Sequence, residues 1–182
     1  MRIALDLDGV VADFIGAYLK DWNVRHGTKI KPRDLTEWGL ESTLKQPDSI
    51  IWEDIHNKQM TGFFETLNVI PGARYYTNKL REDGHKIYAV TDRMCASDTY
   101  EWLKRNYIAF DKLYTTADKR PVYKHTDVAI DDKYENLIDA LKEANHGILV
   151  SRKWNQMASE NFMIKHASGW KEVYKLVNEL RG

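Results

Sequence analysis

Hydrophobic and polar positions along the 182-residue chain alternate between two patterns. Apolar-dominated runs occupy residues 2–7, 86–91, 127–130 and 147–151, with a shorter one at 112–115. Such runs suit strands buried on both faces, as in a parallel sheet. Elsewhere apolar residues recur at helical spacing: Tyr134, Leu137, Ile138 and Leu141, then Trp170, Val173, Tyr174 and Val177. Ser168 is the expected N-cap of the latter helix. Pro71-Gly72-Ala73 opens another, and Gly84 stands at the C′ position that would close it. Strand–helix alternation predicts right-handed βαβ units in an open three-layer α/β domain with a parallel sheet.

Residues 14–70 break this rhythm. They hold an amphipathic helix (Tyr18, Leu19, Trp22), a polar, proline-containing region over 31–47 and a helical segment over 49–60. About 55 residues therefore separate the first two strands, where a βα connection needs only a few. The expected organisation is a core domain of residues 1–13 and 71–182, with 14–70 as a helical cap over the C-terminal edge of the sheet.

Composition narrows the function class. Hydrophobic residues at 43% and aromatics at 12% exclude a disordered chain. One cysteine excludes a disulfide framework and a multi-cysteine zinc site. With 27 basic and 27 acidic residues, bulk electrostatic binding to nucleic acid or an anionic membrane is not expected. Neither a targeting segment nor a bilayer-length apolar run is visible, so a soluble cytoplasmic protein is expected. The neutral total conceals a local polarity. Residues 1–13 carry one basic and three acidic side chains, whereas 71–131 carry eleven and nine.

The acidic end of the first strand is the strongest chemical signal. Asp6 and Asp8 in Asp6-Leu7-Asp8-Gly9-Val10 leave a buried strand two residues apart, on one side of the chain. Ligands of open α/β sheets bind outside these strand ends. Two buried aspartates without a cation oppose each other's ionisation, and the alternative is a solvated turn before Gly9. An EF-hand loop is excluded, because Val10-Val11 stand where polar ligands are required. Asp131-Asp132 repeats the construction after Val128-Ala129-Ile130, with a helix N-cap or a turn as the plain alternative. All four carboxylates together point to a hard-cation site, and oxygen-only ligands favour Mg²⁺ over zinc. Thr91-Asp92 at another strand end offers a hydroxyl and free backbone N–H groups. Lysine follows at Lys119, with Lys124 close behind.

Taken in order, Asp-x-Asp-Gly-Val, an insertion, a strand-end threonine, a lysine and an apolar run closed by Asp-Asp resemble the haloacid dehalogenase superfamily. The nearer resemblance is to its 5′(3′)-deoxyribonucleotidase branch with bacterial and phage relatives. Asp6 to Phe14, Phe63-Phe64-Glu65 leading into Ile70-Pro71-Gly72-Ala73, and Ile130 to Lys133 carry it. The resemblance implies a Rossmann-like core and a phosphomonoesterase. In it Asp6 is the nucleophile that becomes an aspartyl-phosphate and Asp8 the general acid and base. Mg²⁺ is held by Asp6, the Asp8 carbonyl and one of Asp131 and Asp132, while Thr91, the Asp92 backbone and Lys119 hold phosphate. Asp92 departs from the branch, which has a small or hydroxylic residue there. Lys119 is preferred to Lys124 because Asp118-Lys119 matches the branch's Asp-Lys pair. The superfamily's dehalogenases lack the second aspartate, so Asp8 favours a phosphatase.

Substrate selection is assigned to the cap. Phe14 and Trp38 match the places of base-stacking aromatics in the branch, while Trp22, Trp52, Phe63 and Phe64 are expected in cap packing. Arg93 is a candidate second contact to an anion or base. Cys95 is expected to pack rather than react. The expected substrate is a nucleoside or deoxynucleoside monophosphate. A sugar phosphate, a nucleic-acid end, a non-catalytic nucleotide- or Mg²⁺-binding module and a homodimer stay open.

Overall fold

The computed structural model describes residues 1–142, 146–156 and 163–181. In chain order β1 (Arg2–Leu5) is followed by α1 (Phe14–His26), α2 (Glu41–Leu44), α3 (Asp48–Met60) and α4 (Ala73–Glu82). Next come β2 (Lys86–Thr91), α5 (Ala96–Arg105), β3 (Lys112–Thr115), α6 (Arg120–Tyr123), β4 (Val128–Asp131) and α7 (Tyr134–Leu141). The chain closes with β5 (His146–Val150), β6 (Ile164–Ala167) and α8 (Trp170–Glu179). All strand pairs are parallel, in the order β3-β2-β1-β4-β5-β6.

Strand periodicity builds the three layers. Ile3, Leu5, Ile87, Ala89, Val128 and Ile130 pack one face against Leu80, Trp102, Leu103, Trp170, Val173 and Val177 from α4, α5 and α8. Their neighbours Ala4, Val90, Ala129 and Leu149 turn to the opposite face, under Val122, Tyr123, Leu137 and Ala140. Burying each large side chain contributes about 1.5–3 kcal/mol. Strands β2 and β4 flank β1, and the direction of travel across the sheet reverses between the adjacent strands β1 and β4. That is the switch point where open α/β sheets place ligands.

Several boundaries differ from the sequence expectation. Strand β1 stops at Leu5, because the Leu7 carbonyl accepts the N–H groups of Val10, Val11 and Ala12 and so closes a turn. Strand β6 was not expected; its Ile-Lys-His-Ala sequence has only two buried positions. Gly84 closes α4 with a φ of +86°. Ser168 does not cap α8. Its N–H and hydroxyl both donate to Glu172, at 2.9 and 2.8 Å, and Gly169 occupies the cap position.

Residues 14–70 add no strand to the sheet among the described residues. Tyr18, Leu19, Trp22, Leu35, Leu40, Leu44, Ile51 and Ile55 form a hydrophobic cluster there, separate from the two against the sheet. Asp13 starts α1 by accepting the Gly16 N–H at 3.0 Å.

Candidate active site

Asp6 continues from β1 while its N–H still donates to the Ile130 carbonyl of β4, at 3.0 Å. Asp131 closes β4, and Asp132 follows it. One oxygen from each of Asp6, Asp131 and Asp132 lies within 4.8 Å of the others, and all three residues are buried. Lys119, also buried, donates to Asp6 Oδ1 at 2.7 Å and to Asp131 Oδ2 at 2.9 Å. Asp131 further accepts the Lys133 N–H at 2.8 Å and the Asn136 amide at 3.0 Å.

The charges do not balance among these side chains. Three carboxylates, were all of them ionised, would face one ammonium. Burial pushes the Asp6 carboxyl up to about 7, with Asp131 and Asp8 adding and Lys119 opposing. Asp132 is raised well above the usual carboxylate range by burial and by Asp6 and Asp131. Burial opposes the Lys119 charge, yet Asp131 and Asp6 outweigh it and hold the ammonium well above its ordinary pKa. Asp132 Oδ1 is buried without a hydrogen-bond partner. A divalent cation would neutralise the cluster and give that oxygen a partner. The buried acidic triad can hold a metal ion.

Gly9 permits this packing. Its φ is +88°, and a Cβ there would lie 2.0 Å from Asp132 Oδ2. Arg152 Nε and Nη2 hold the Gly9 carbonyl at 2.9 and 2.5 Å, and Asn155 donates to the Asp132 carbonyl at 2.8 Å.

A cavity of about 480 Å³ opens over these groups, within the range of small-molecule sites. Asp6, Asp8, Asp132, Thr91, Asp92 and Lys119 line it on the sheet side. Phe14, Trp38, Trp52 and Phe64 line it from residues 14–70. Thr91 is buried and Asp92 exposed, its carboxyl raised by partial burial against the pull of Lys119 and Lys133. Phe14 stacks on Phe64 at 5.2 Å, and Trp38 meets Trp154 edge-on at 6.4 Å.

This geometry sits on a chain whose residues 1–181 match the family model "5′ nucleotidase, deoxy (pyrimidine), cytosolic type C protein (NT5C)". The chain belongs to this family. A Staphylococcus epidermidis protein, provisionally named a 5′(3′)-deoxyribonucleotidase, is 27% identical over 98% of this chain and 97% of its own. A Chlorobaculum tepidum protein of the same provisional name is 26% identical over 96% and 89%. The fold is shared with solved haloacid-dehalogenase-like structures. A Xanthomonas campestris hydrolase of this type superposes with a TM-score of 0.65 at 11% identity, covering 99% of this chain and 95% of its own. An L-2-haloacid dehalogenase gives 0.63 at 12%, covering 97% and 98%. The 5′-nucleotidase family and this fold make the chain an enzyme, a haloacid-dehalogenase-type phosphatase.

Within that nucleotidase frame the structure brings together Asp6, Asp8, Thr91, Asp92, Lys119, Asp132, Phe14 and Trp38 around one cavity, with Asp131 behind Lys119. Lys124 is exposed at the C-terminal end of α6, and Lys119 is the lysine in the acidic cluster. One expectation is corrected. Trp52, expected in packing, is 51% exposed and lines the cavity, because α3 buries Ile51 and Ile55 instead. Arg93, the candidate second contact to an anion or base, lines the cavity and is paired with Asp8 through two hydrogen bonds of 2.9 and 2.7 Å. Cys95 lies outside this cavity and is half-buried beside Ser97. Sequence reasoning missed Gln59, Asn136 and Trp154, which line the cavity, and Arg152 and Asn155, which hold the Gly9 and Asp132 carbonyls. Their types carry no local signature, and all but Asn136, which follows Asp131 on α7, reach the site from distant parts of the chain. No helix among the described residues is long and apolar enough to cross a membrane.

Proposed function

We propose that this phosphatase is a Mg²⁺-dependent 5′(3′)-nucleotidase that hydrolyses nucleoside and deoxynucleoside monophosphates through an aspartyl-phosphate on Asp6. One observation carries the reading: a single cavity joins the Asp6–Asp8–Lys119 floor to an aromatic wall of Phe14, Trp38, Trp52 and Phe64. The floor suits a phosphoryl group and the wall a flat base, for which stacking contributes about 1–3 kcal/mol. The family's name and the provisional names of its relatives agree with it.

Asp6 attacks phosphorus in line, and Asp8 protonates the leaving oxygen. In the second half Asp8 takes a proton from the water that releases phosphate. Thr91, the Asp92 N–H and Lys119 hold the remaining phosphoryl oxygens as charge spreads over them. Asp6, the Asp8 carbonyl and Asp131 or Asp132 would hold Mg²⁺, which when bound screens the repulsion between carboxylate and phosphate. Residues 14–70 act as the cap domain that closes the site over residues 1–13 and 71–182. The ligands are small-molecule phosphomonoesters.

Phosphate release is measured over nucleoside 5′-, 3′- and 2′-monophosphates and sugar phosphates with Mg²⁺ and with chelator. Deoxynucleoside monophosphates should head the panel, chelator should abolish turnover, and Asp6→Asn should leave none. A panel headed by sugar phosphates, or an Asp6→Asn variant with wild-type activity, overturns the reading.

A further inference from the structure

Arg93 stands two residues beyond Thr91, its N–H directed to the Thr91 hydroxyl at 3.3 Å, and its side chain is 3% exposed. Nε donates to Asp8 Oδ2 at 2.9 Å and Nη2 to Asp8 Oδ1 at 2.7 Å. A two-point fork of this kind defines the plane and direction of a carboxylate, which a single donor does not. The guanidinium is itself confined. Its carbon lies 5.1 Å from the ring centroids of both Phe64 and Trp102. Trp102 is anchored by its indole N–H to the Leu67 carbonyl at 3.0 Å, and Phe64 by stacking on Phe14. Asp8, in contrast, is 24% exposed on the turn after β1 and lines the cavity. Without the fork its side chain would be free to change rotamer. A carboxylate has about four lone-pair sites, so a fork that uses two leaves two for a proton and a reacting oxygen.

We propose that Arg93 is a positioning residue that holds Asp8 at the angle from which its proton reaches the leaving oxygen. This rests on the reading of Asp8 as the general acid and base. As the bond from phosphorus to the leaving oxygen breaks, the Asp8 proton passes to that oxygen, which departs as an alcohol or phenol. Asp8 remains as the carboxylate. It then takes a proton from water as the water oxygen bonds to phosphorus and the Asp6–phosphorus bond breaks. Arg93 gains and loses nothing; it keeps the donor aimed through both halves.

The test compares phenyl phosphate, whose leaving group needs protonation, with 4-nitrophenyl phosphate, whose leaving group needs it far less. Arg93→Met should lower kcat/KM on phenyl phosphate by about ten- to a hundred-fold, the scale of a misplaced catalytic group, and on 4-nitrophenyl phosphate by about two-fold or less. Arg93→Lys, with one donor point, should fall between. The ratio of the two substrates in one sample does not depend on the fraction folded. Asp8→Asn should show the same selectivity, and Asp8→Asn/Arg93→Met should be no worse than Asp8→Asn on phenyl phosphate. Equal losses of Arg93→Met on both substrates would make the arginine a structural or substrate contact and overturn the proposal, as would losses that multiply in the double variant. An Asp8→Asn enzyme without leaving-group selectivity overturns the acid–base reading itself, and that arm is read independently of Arg93.

Discussion

Replacing Lys119 by methionine keeps an apolar stem of similar length and deletes the ammonium that bridges Asp6 and Asp131 at 2.7 and 2.9 Å. The carboxylates of Asp6, Asp131 and Asp132 then share a buried space with ligand atoms no more than 4.8 Å apart. At that separation two unit charges repel by roughly 3.5 kcal/mol for an effective dielectric of about 20. Removing one partner of a buried ion pair costs about 3–5 kcal/mol, which agrees. For a domain of this size each kcal/mol moves Tm by about 2–4 °C, so Lys119→Met should melt roughly 6–20 °C below wild type in chelator. The deficit has a pH sign. Acids whose folded pKa is raised bind extra protons in the folded state, so stability falls as pH rises through the interval from 3.8 towards the folded value, about 7 for Asp6 before the substitution. Removing Lys119 lifts that folded value further, so the gap to wild type should widen as pH rises above about 7. Added Mg²⁺ should raise the Tm of Lys119→Met more than that of wild type, because it supplies the missing positive charge. Melting curves in chelator and in Mg²⁺ at two pH values decide the matter. A variant that melts within about 2 °C of wild type in chelator, or gains no more from Mg²⁺, refutes the charge argument.

Gly9→Ala places a Cβ 2.0 Å from Asp132 Oδ2 at a φ of +88°. It should destabilise the protein by about 1–3 kcal/mol and weaken Mg²⁺ binding in a calorimetric titration; unchanged affinity would show that Asp132 does not need this turn. His85 is buried, and burial, helped by the N-terminal ammonium and Arg181, lowers its pKa. Its contribution is present above the unfolded value of 6.5 and lost as pH falls from there towards the folded value. Urea unfolding above and below that window should therefore fall more steeply with acid for wild type than for His85→Leu; equal slopes would contradict it. Trp38 is 40% exposed at the cavity. Trp38→Ala should raise KM for nucleoside monophosphates by roughly five- to a hundred-fold through lost stacking, with Tm nearly unchanged. A constant KM would remove it from the base-binding wall.

Much of the fold was legible because its signals are local. Ile3-Ala4-Leu5 and Val128-Ala129-Ile130 read as buried strands from three or four residues, and each is followed by aspartates. Strand β6 was not legible, since an edge strand with an exposed Lys165 lacks the continuous apolar signal. Lys119 was separable from Lys124 only by its Asp118 neighbour; burial between two carboxylates is what distinguishes it physically. Trp52 was placed wrongly because aromatic content does not report which face of α3 is covered.

The sequence alone determined the strand–helix rhythm and the acidic strand ends, each encoded within a few residues by side-chain periodicity and backbone preference. Tertiary structure decided which charges meet. Lys119 reaches Asp6 across 113 residues of chain and Arg93 reaches Asp8 across 85. Those encounters follow from the order β3-β2-β1-β4-β5-β6, which sets β2 and β4 on either side of β1 and lets their ends converge. No spacing along the chain carries that information, because a parallel sheet is ordered by crossovers over many residues. The pairing of Arg93 with Asp8 was therefore a decision of the fold.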